Sequence, residues 1–316
     1  MQSYSLLAPA KINLLLEIIG DRPDGFHELV MVLQSVELAD RIDIQASDTQ
    51  EIYLKCDHPE VPEDETNLAY RAAKLMFDTF PEVHANYGGV TIKIKKNIPV
   101  AAGLAGGSGN AAAVLVGINL IWKLGLTQPE LQDLAAKLGS DIPFCVSGGT
   151  AIATGRGEKL ASLKNLTDMW VVLAKYDNIS VSTPWAYQTY RQEYNDSYIS
   201  DAEGVKSRTA KVHSSPLLKA IAHKDSAEIG KQIYNDLEKV VLPQYPQVAA
   251  LKAAFAAQDI LGTMMSGSGP TVFALCESES KAIASEQQVR SQIRDPHLKF
   301  WITKLSSKGI QVLSSN

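Results

Sequence analysis

The sequence predicts an α+β protein in two domains, and three observations carry that prediction. The chain has 316 residues, a length that suits about two domains of roughly 150 residues. Its apolar pattern switches repeatedly between period two and period 3.6. Strands dominate the start, whereas the second half reads β–α–α–β–α–β, the order of a ferredoxin-like unit. The boundary is expected near residue 165, giving an N-terminal domain over 1–165 and a ferredoxin-like domain over 166–316.

The first element is a strand over Lys11–Ile19, with Ile12, Leu14, Leu16 and Ile18 expected on one face. Asp21-Arg-Pro-Asp-Gly25 is a turn, because proline presets φ and Asp-Gly tolerates a tight reversal. Ile42 and Ile44 alternate with Asp43 and Gln45 in a further strand. Over 67–80, Leu68, Ala72, Leu75 and Met76 form a helical stripe. Val90–Lys96 alternates strictly and reads as a half-buried strand.

A glycine-rich loop follows, PVAAGLAGGSG, and then a small-residue helix that ends at Gly125. Thr127 and Glu130 have capping-box spacing, so another helix starts there and stops before Gly139. GSDIPF and a glycine-flanked strand over 148–155 close the first half.

In the second half a strand runs over Trp170–Lys175, and helices are expected over about 216–239 and 246–257. Met264–Cys276 gives a glycine turn and a buried strand; a polar helix and a strand over His297–Thr303 complete the set. Residues 195–215 are polar, poor in large apolar groups and linker-like.

Composition narrows the function classes. Hydrophobic residues make up 45% and charged residues 21%, enough to fill a core, and the net charge of −5 argues against a nucleic-acid partner. Cys56, Cys145 and Cys276 are widely spaced, which suits a reduced, cytoplasmic protein. The six histidines show no metal-ligand spacing. Lys11, Asn13 and Glu17 interrupt the apolar N-terminal stretch, so neither a signal peptide nor a membrane span is expected.

The strongest chemical signal is the loop Pro99, Val100, Ala101, Ala102, Gly103, Leu104, Ala105, Gly106, Gly107, Ser108 and Gly109. Between a strand and a helix N-terminus, its N–H groups can converge on phosphate, and glycine lets the backbone approach closely. It is neither a Walker A loop nor GxGxxG. Asp141 is a candidate base for an attacking hydroxyl; on its own residues the stronger alternative is that Ser140 or Asp141 caps a helix with Pro143 in its first turn. Lys11 could balance that carboxylate and stabilise alkoxide character, or stand as a solvated edge residue. Phe26, His27 and Tyr187 offer rings that could sandwich a planar base, or simply pack. Ser266-Gly-Ser-Gly-Pro270 is a second anion site or a tight reversal.

PAKINL (Pro9–Leu14), PVAAGLAGGSGNAA (Pro99–Ala112) and SGSGPTVF (Ser266–Phe273) together resemble the three motifs of the GHMP kinases, in order and over most of the chain. RPDGFHEL (Arg22–Leu29) and LGSDIPFCVSGG (Leu138–Gly149) are similar to the branch that uses ATP to phosphorylate the 2-hydroxyl of 4-diphosphocytidyl-2-C-methyl-D-erythritol, in the non-mevalonate (methylerythritol phosphate) route to isoprenoids.

The resemblance implies an ATP-binding domain joined to the ferredoxin-like one, with ATP and Mg²⁺ as cofactors and no membrane partner. It makes Asp141 and Lys11 the catalytic pair and Pro99–Gly109 the phosphate loop. Phe26 and Tyr187 would flank the cytosine and His27 would read its edge; Asn13 and Thr183 would line the acceptor pocket, and Asn67 and Lys96 would lie near adenine. Two departures stand out. Members usually read GLGGGSS or GLGGGST where this chain has Ala105 and Gly109, and tyrosine is common at the position of Phe26.

Overall fold

The computed structural model describes residues 2–313. The first half is built on two long strands, β1 (Ser3–Asp21) and β2 (His27–Ala46), paired antiparallel from Ser3 opposite Gln45 to Asp21 opposite His27. Beside β2 lies β4 (Val90–Lys95), with β3 (Ile52–Cys56) parallel to it at the edge. The far end of β2 pairs with β5 (Thr150–Gly155), which pairs with β6 (Lys159–Ser162).

One face of this sheet carries α1 (Leu68–Thr79), α2 (Pro81–Tyr87), α3 (Gly106–Ile121), α4 (Gln128–Ala136) and α5 (Ile142–Ser147). Its core joins Leu6, Ile42 and Ile92 of the strands to Ala112, Leu115 and Ile118 of α3. The small side chains of α3 let it lie close to the sheet; a Cβ on Gly117 would stand 2.6 Å from Ile44 Cγ2. The Thr127 capping box forms, with the Glu130 carboxylate accepting from the Thr127 N–H at 2.7 Å.

The second half comprises β7 (Trp170–Tyr176), α6 (Thr183–Glu193), a 3₁₀ turn (Asn195–Ser197), α7 (Ala202–His213), α8 (Pro216–His223), α9 (Ser226–Gln232) and β8 (Tyr234–Asn235). It continues with α10 (Glu238–Gln244), α11 (Pro246–Ala256), β9 (Gly262–Met265), β10 (Val272–Cys276), α12 (Glu279–Gln292), β11 (Leu298–Ser306) and β12 (Gln311–Leu313). Its antiparallel strands lie in the order β11–β7–β10–β9. Taken as first, second, third and fourth, β7, β9, β10 and β11 give the ferredoxin-like arrangement expected from the sequence. The two halves share one sheet, because Leu305 and Ser306 of β11 pair with Val36 and Ser35 of β2. The chain also returns to β1, through β8 in parallel and β12 antiparallel.

The structure corrects several element expectations. Ile12, Leu14, Leu16 and Ile18 do not share a face: a register shift between Asn13 and Leu15 sends Ile12 and Leu14 into one core cluster and Leu16 and Ile18 into another. Residues 195–215 are not a bare linker, since α7 occupies most of them, with its N-terminus capped by Asp201, which accepts from Gly204 N–H at 2.7 Å, and with Val212 buried. The single helix expected over 216–239 is α8, α9, β8 and the start of α10. Lys224 ends α8 at φ 56°, and Asp225 caps α9 by accepting from Glu228 N–H at 3.0 Å. The short strand β9 leads into the glycine turn, where no separate strand is expected from the sequence.

Candidate active site

The glycine-rich loop is anchored by its apolar side chains. Ile98, Ala102 and Leu104 are buried in the core beneath it, which leaves the backbone to face outward. Ala101, Gly103 and Ala105 all have positive φ (49°, 72° and 57°), so the loop turns sharply into α3. The first helical bond runs from Gly109 N–H to the Ala105 carbonyl at 2.8 Å. The N–H groups of Gly106, Gly107 and Ser108 therefore have no acceptor within the helix and form the positive end of its dipole. A Cβ on Gly107 would meet nothing nearer than 3.7 Å, so the cradle is open there.

Both ends of the loop are held by one residue outside every motif. Asp40 is fully buried on β2, and its carboxylate accepts from Asn97 N–H at 2.8 Å, Ile98 N–H at 2.9 Å and Asn110 Nδ2 at 2.8 Å, and pairs with Lys96 Nζ. A buried carboxylate is tolerable only when paired and hydrogen-bonded, and here every partner flanks the cradle.

The second glycine turn closes against the first. Ser266 Oγ donates to the Gly103 carbonyl at 3.1 Å, and a Cβ on Gly103 would lie 2.2 Å from the Ser266 carbonyl oxygen. Lys11 N–H donates to the Leu104 carbonyl at 3.1 Å, which brings the PAKINL segment to the same place.

Irregularities in β1 on either side of Lys11–Asn13, between Pro9 and Lys11 and between Asn13 and Leu15, re-aim these side chains. Lys11 is not the solvated edge residue that its position allowed: it is buried, with Nζ donating to Asn13 Oδ1 at 2.8 Å and lying 3.5 Å from Asp141 Oδ2. Asp141 does precede α5, but its side chain makes no capping bond, so its carboxylate is free for chemistry. That side chain is 30% exposed against 6% for Lys11, so a hydroxyl can reach the carboxylate while the ammonium stands behind it. Burial pushes the neighbouring Cys145 thiol well above its usual range, with Asp141 adding to the effect, so this cysteine is no nucleophile.

A cleft of about 830 Å³ runs from this pair to an aromatic end. Lys11, Asn13, Phe26, His27, Ala101, Gly103, Ala105, Ser108, Asp141, Thr183 and Tyr187 line it, so most of the expected residues converge. Thr183 Oγ1 and Ser268 Oγ share a hydrogen bond of 2.8 Å across its wall. Tyr187 stacks on His27, with centroids 5.1 Å apart and planes at 14°, while Phe26 is half exposed beneath the Arg156 guanidinium. His27 Nδ1 lies 3.3 Å from the Tyr198 hydroxyl, and Arg191 stacks on Tyr198 while its Nε donates to Asp21 at 2.6 Å. Burial lowers the His27 pKa below its usual 6.5, Asp21 opposes this and Arg191 adds to it, so the ring is neutral near neutral pH.

Asn67 and Lys96 do not line this cleft. Asn67 caps α1, with Oδ1 accepting from Ala69 N–H at 2.8 Å and Nδ2 donating to the Pro62 carbonyl at 2.6 Å. Lys96 is buried against Asp40, on the far side of the cradle, where a Cβ on Gly106 would lie 2.9 Å from its Nζ. The loop departure at Gly109 also has a simple geometry. A Cβ there would face Ala8 Cβ at 3.4 Å and the Pro9 carbonyl at 3.5 Å, so a serine would point at β1 rather than into the open cradle.

An open helix N-terminus for phosphate, a carboxylate with a buried ammonium behind it, and an acceptor cleft define a phosphotransferase acting on an alcohol. Comparison with known proteins agrees. Residues 67–149 match the GHMP kinases N terminal domain and residues 217–295 the GHMP kinases C terminal domain. The chain is 63% identical over 312 residues to the 4-diphosphocytidyl-2-C-methyl-D-erythritol kinase of Gloeothece citriformis, covering 99% of each chain. It is 60% identical to the enzyme of that name from Nostoc punctiforme over the full length of both. A crystal structure of 4-(cytidine 5'-diphospho)-2C-methyl-D-erythritol kinase superposes with a TM-score of 0.73 at 30% identity, covering 95% of this chain and 98% of the other. Homoserine kinase from Cytophaga hutchinsonii shares the fold, with a TM-score of 0.76 at 18% identity over 99% and 98% of the chains. The chain belongs to the GHMP kinases, and within them to the family of 4-diphosphocytidyl-2-C-methyl-D-erythritol kinases.

Proposed function

We propose that this chain transfers the γ-phosphoryl group of ATP to the 2-hydroxyl of 4-diphosphocytidyl-2-C-methyl-D-erythritol, in the non-mevalonate route to isoprenoids. The observation that carries the chemistry is the Lys11–Asp141 pair, 3.5 Å apart at the foot of the phosphate cradle and open to a cleft with an aromatic end. The full-length identity to the named kinases carries the choice of acceptor.

In this reading the N–H groups of Gly106, Gly107 and Ser108 hold phosphate oxygens, and Asp141 orients the hydroxyl and takes its proton as the oxygen attacks phosphorus. Lys11, fixed by Asn13, stabilises the negative charge that develops. Such a transition state needs mainly positioning and charge stabilisation, so no covalent enzyme intermediate is required.

Among the described residues no group of three His, Cys, Asp or Glu side chains gathers to hold a metal. Mg²⁺ would be held mainly by ATP oxygens and water, with the Ser108 hydroxyl at the helix N-terminus as a hard oxygen ligand from the chain. When bound, the ion would neutralise charge on the phosphate oxygens.

His27, as a neutral ring with one donor and one acceptor nitrogen, reads the cytosine edge beside Tyr187 and Phe26. Thr183 lines the acceptor side; Asn67 and Lys96 support the adenine side of the cradle. The chain works as two domains meeting near residue 165. Among the described residues no helix is long and apolar enough to cross a membrane, and free thiols with a small charged substrate suit the cytoplasm.

The variant Asp141→Asn tests the mechanism. It should lower kcat by about 10²- to 10⁴-fold while ATP affinity, read by nucleotide titration, stays within a few-fold. Near-normal turnover would remove Asp141 from its role as base.

A further inference from the structure

Three cationic side chains line the cleft, and two of them have a carboxylate close by. Lys11 Nζ lies 3.5 Å from Asp141, and Arg191 Nε lies 2.6 Å from Asp21. Arg156 is different. Its nearest carboxylate, Glu158, stands 4.0 Å from Nε, its Nη2 donates to the Ala136 carbonyl at 2.6 Å, and Nη1 has no hydrogen-bond partner among the described residues. The guanidinium lies over the Phe26 ring, 5.2 Å from its centroid, and the side chain is 28% exposed.

The backbone places Arg156 between the two ends of the cleft. It sits in the turn joining β5 to β6, and a Cβ on its neighbour Gly157 would stand 3.5 Å from Ser140 Cβ, next to Asp141. On its other side is Phe26, at the aromatic end. A cytidine diphosphate joined to a polyol must cross this span with its diphosphate, since the base lies at one end and the hydroxyl at the other. A dianionic group needs a cation or several N–H donors along that path, and a guanidinium supplies both in a planar fork.

We propose that Arg156 is a specificity residue of this kinase, recognising the diphosphate of the nucleotide-bearing substrate while it stacks on Phe26. The proposal rests on the functional reading above. The Ala136 carbonyl fixes one edge of the guanidinium, the Phe26 ring lies beneath it, and the unused Nη1 edge is left for the ligand. Arg156 thereby makes the site prefer a cytidine diphosphate to cytidine alone.

The test measures kcat and KM for 4-diphosphocytidyl-2-C-methyl-D-erythritol and for ATP, together with inhibition by CDP and by cytidine, in wild type, Arg156→Ala and Arg156→Lys. Loss of a charged hydrogen bond should raise the KM for the cytidyl substrate by about 10- to 100-fold in Arg156→Ala, with the KM for ATP unchanged. CDP should lose far more affinity than cytidine. Arg156→Lys keeps the charge and restores part of the CDP preference, which separates recognition from a folding defect.

Equal losses for CDP and cytidine, or an unchanged KM, would overturn the diphosphate contact while leaving the functional reading intact. A wild type that is silent on the cytidyl substrate but active on homoserine, mevalonate or galactose would overturn that reading and the proposal together.

Discussion

The two ends of the cleft are built by different means. The proposed phosphate cradle is backbone, a loop of small residues whose shape is fixed from beneath by buried Ile98, Ala102 and Leu104 and from the side by Asp40. The aromatic end is side chain, assembled from Phe26 and His27 at the β1–β2 turn, Tyr187 on α6, Arg156 beyond β5 and Tyr198 after the 3₁₀ turn. A backbone site can be shared across acceptors, because phosphate is common to them all. A side-chain site can change with the acceptor while the fold stands. The global fold does not choose the acceptor, since a homoserine kinase at 18% identity superposes with a TM-score of 0.76 and the named cytidyl kinase at 30% with 0.73. Substrate choice must therefore be read from particular side chains rather than from fold similarity.

Breaking the cradle should cost most. Asp40→Ala leaves Lys96 buried without its partner and frees both flanks of the loop, a change expected to lower stability by about 3–5 kcal/mol. Thermal denaturation should show the loss, and the KM for ATP should rise with a smaller effect on acceptor KM. An Asp40→Ala protein with wild-type melting and ATP affinity would show that the cradle holds itself.

At the aromatic end the effect should be smaller and confined to the acceptor. Tyr187→Ala removes the ring stacked on His27 and should raise the KM for the cytidyl substrate by about 10- to 100-fold, as base–aromatic stacking is worth about 1–3 kcal/mol. Steady-state kinetics should find the KM for ATP unmoved. If the two KM values rise together, the two ends are not separable.

The smallest effect concerns pH. Because burial lowers the His27 pKa, the folded ring takes up a proton only at more acid pH than an ordinary histidine, whose pKa is about 6.5. Acceptor KM should therefore be flat across neutral pH and rise only on the acid side, as the second nitrogen becomes a donor. His27→Gln should flatten that rise. A KM that already climbs as pH falls through 7 would mean that the ring is not shielded.

The same contrast explains what the sequence made legible. Glycine loops announce themselves because backbone chemistry demands particular residues at consecutive positions, and Pro99–Gly109 and Ser266–Pro270 do meet. Lys11 and Asp141 were separable candidates, and only their motif context joined them across 130 residues of chain. Asp40 falls on the same face as Ile42 and Ile44 by strand alternation, so an aspartate among apolar positions is the signal of a buried, partnered carboxylate, although nothing in the sequence names its partners. Arg156 and Tyr198 carry no such signal, since each meets a ring brought to it only by tertiary structure.

The element errors have local causes. A register shift after Asn13 reverses which side chains face which core, and periodicity cannot see it. The break between α8 and α9 was available in principle, as Asp225 and Glu228 have N-cap spacing, yet the apolar stripe of α8 masked it. Helix α7 lacks a strong apolar face and is read from its Asp201 cap rather than from any stripe.

The cleft is proposed to pass the γ-phosphoryl group of ATP to a cytidyl acceptor. ADP release with ATP and Mg²⁺ tests it directly, with 4-diphosphocytidyl-2-C-methyl-D-erythritol set beside galactose, homoserine and mevalonate. Turnover is expected with the cytidyl substrate, and background rates with the other three. Silence with that substrate in a protein that binds ATP, or turnover of one of the others in its place, would contradict it.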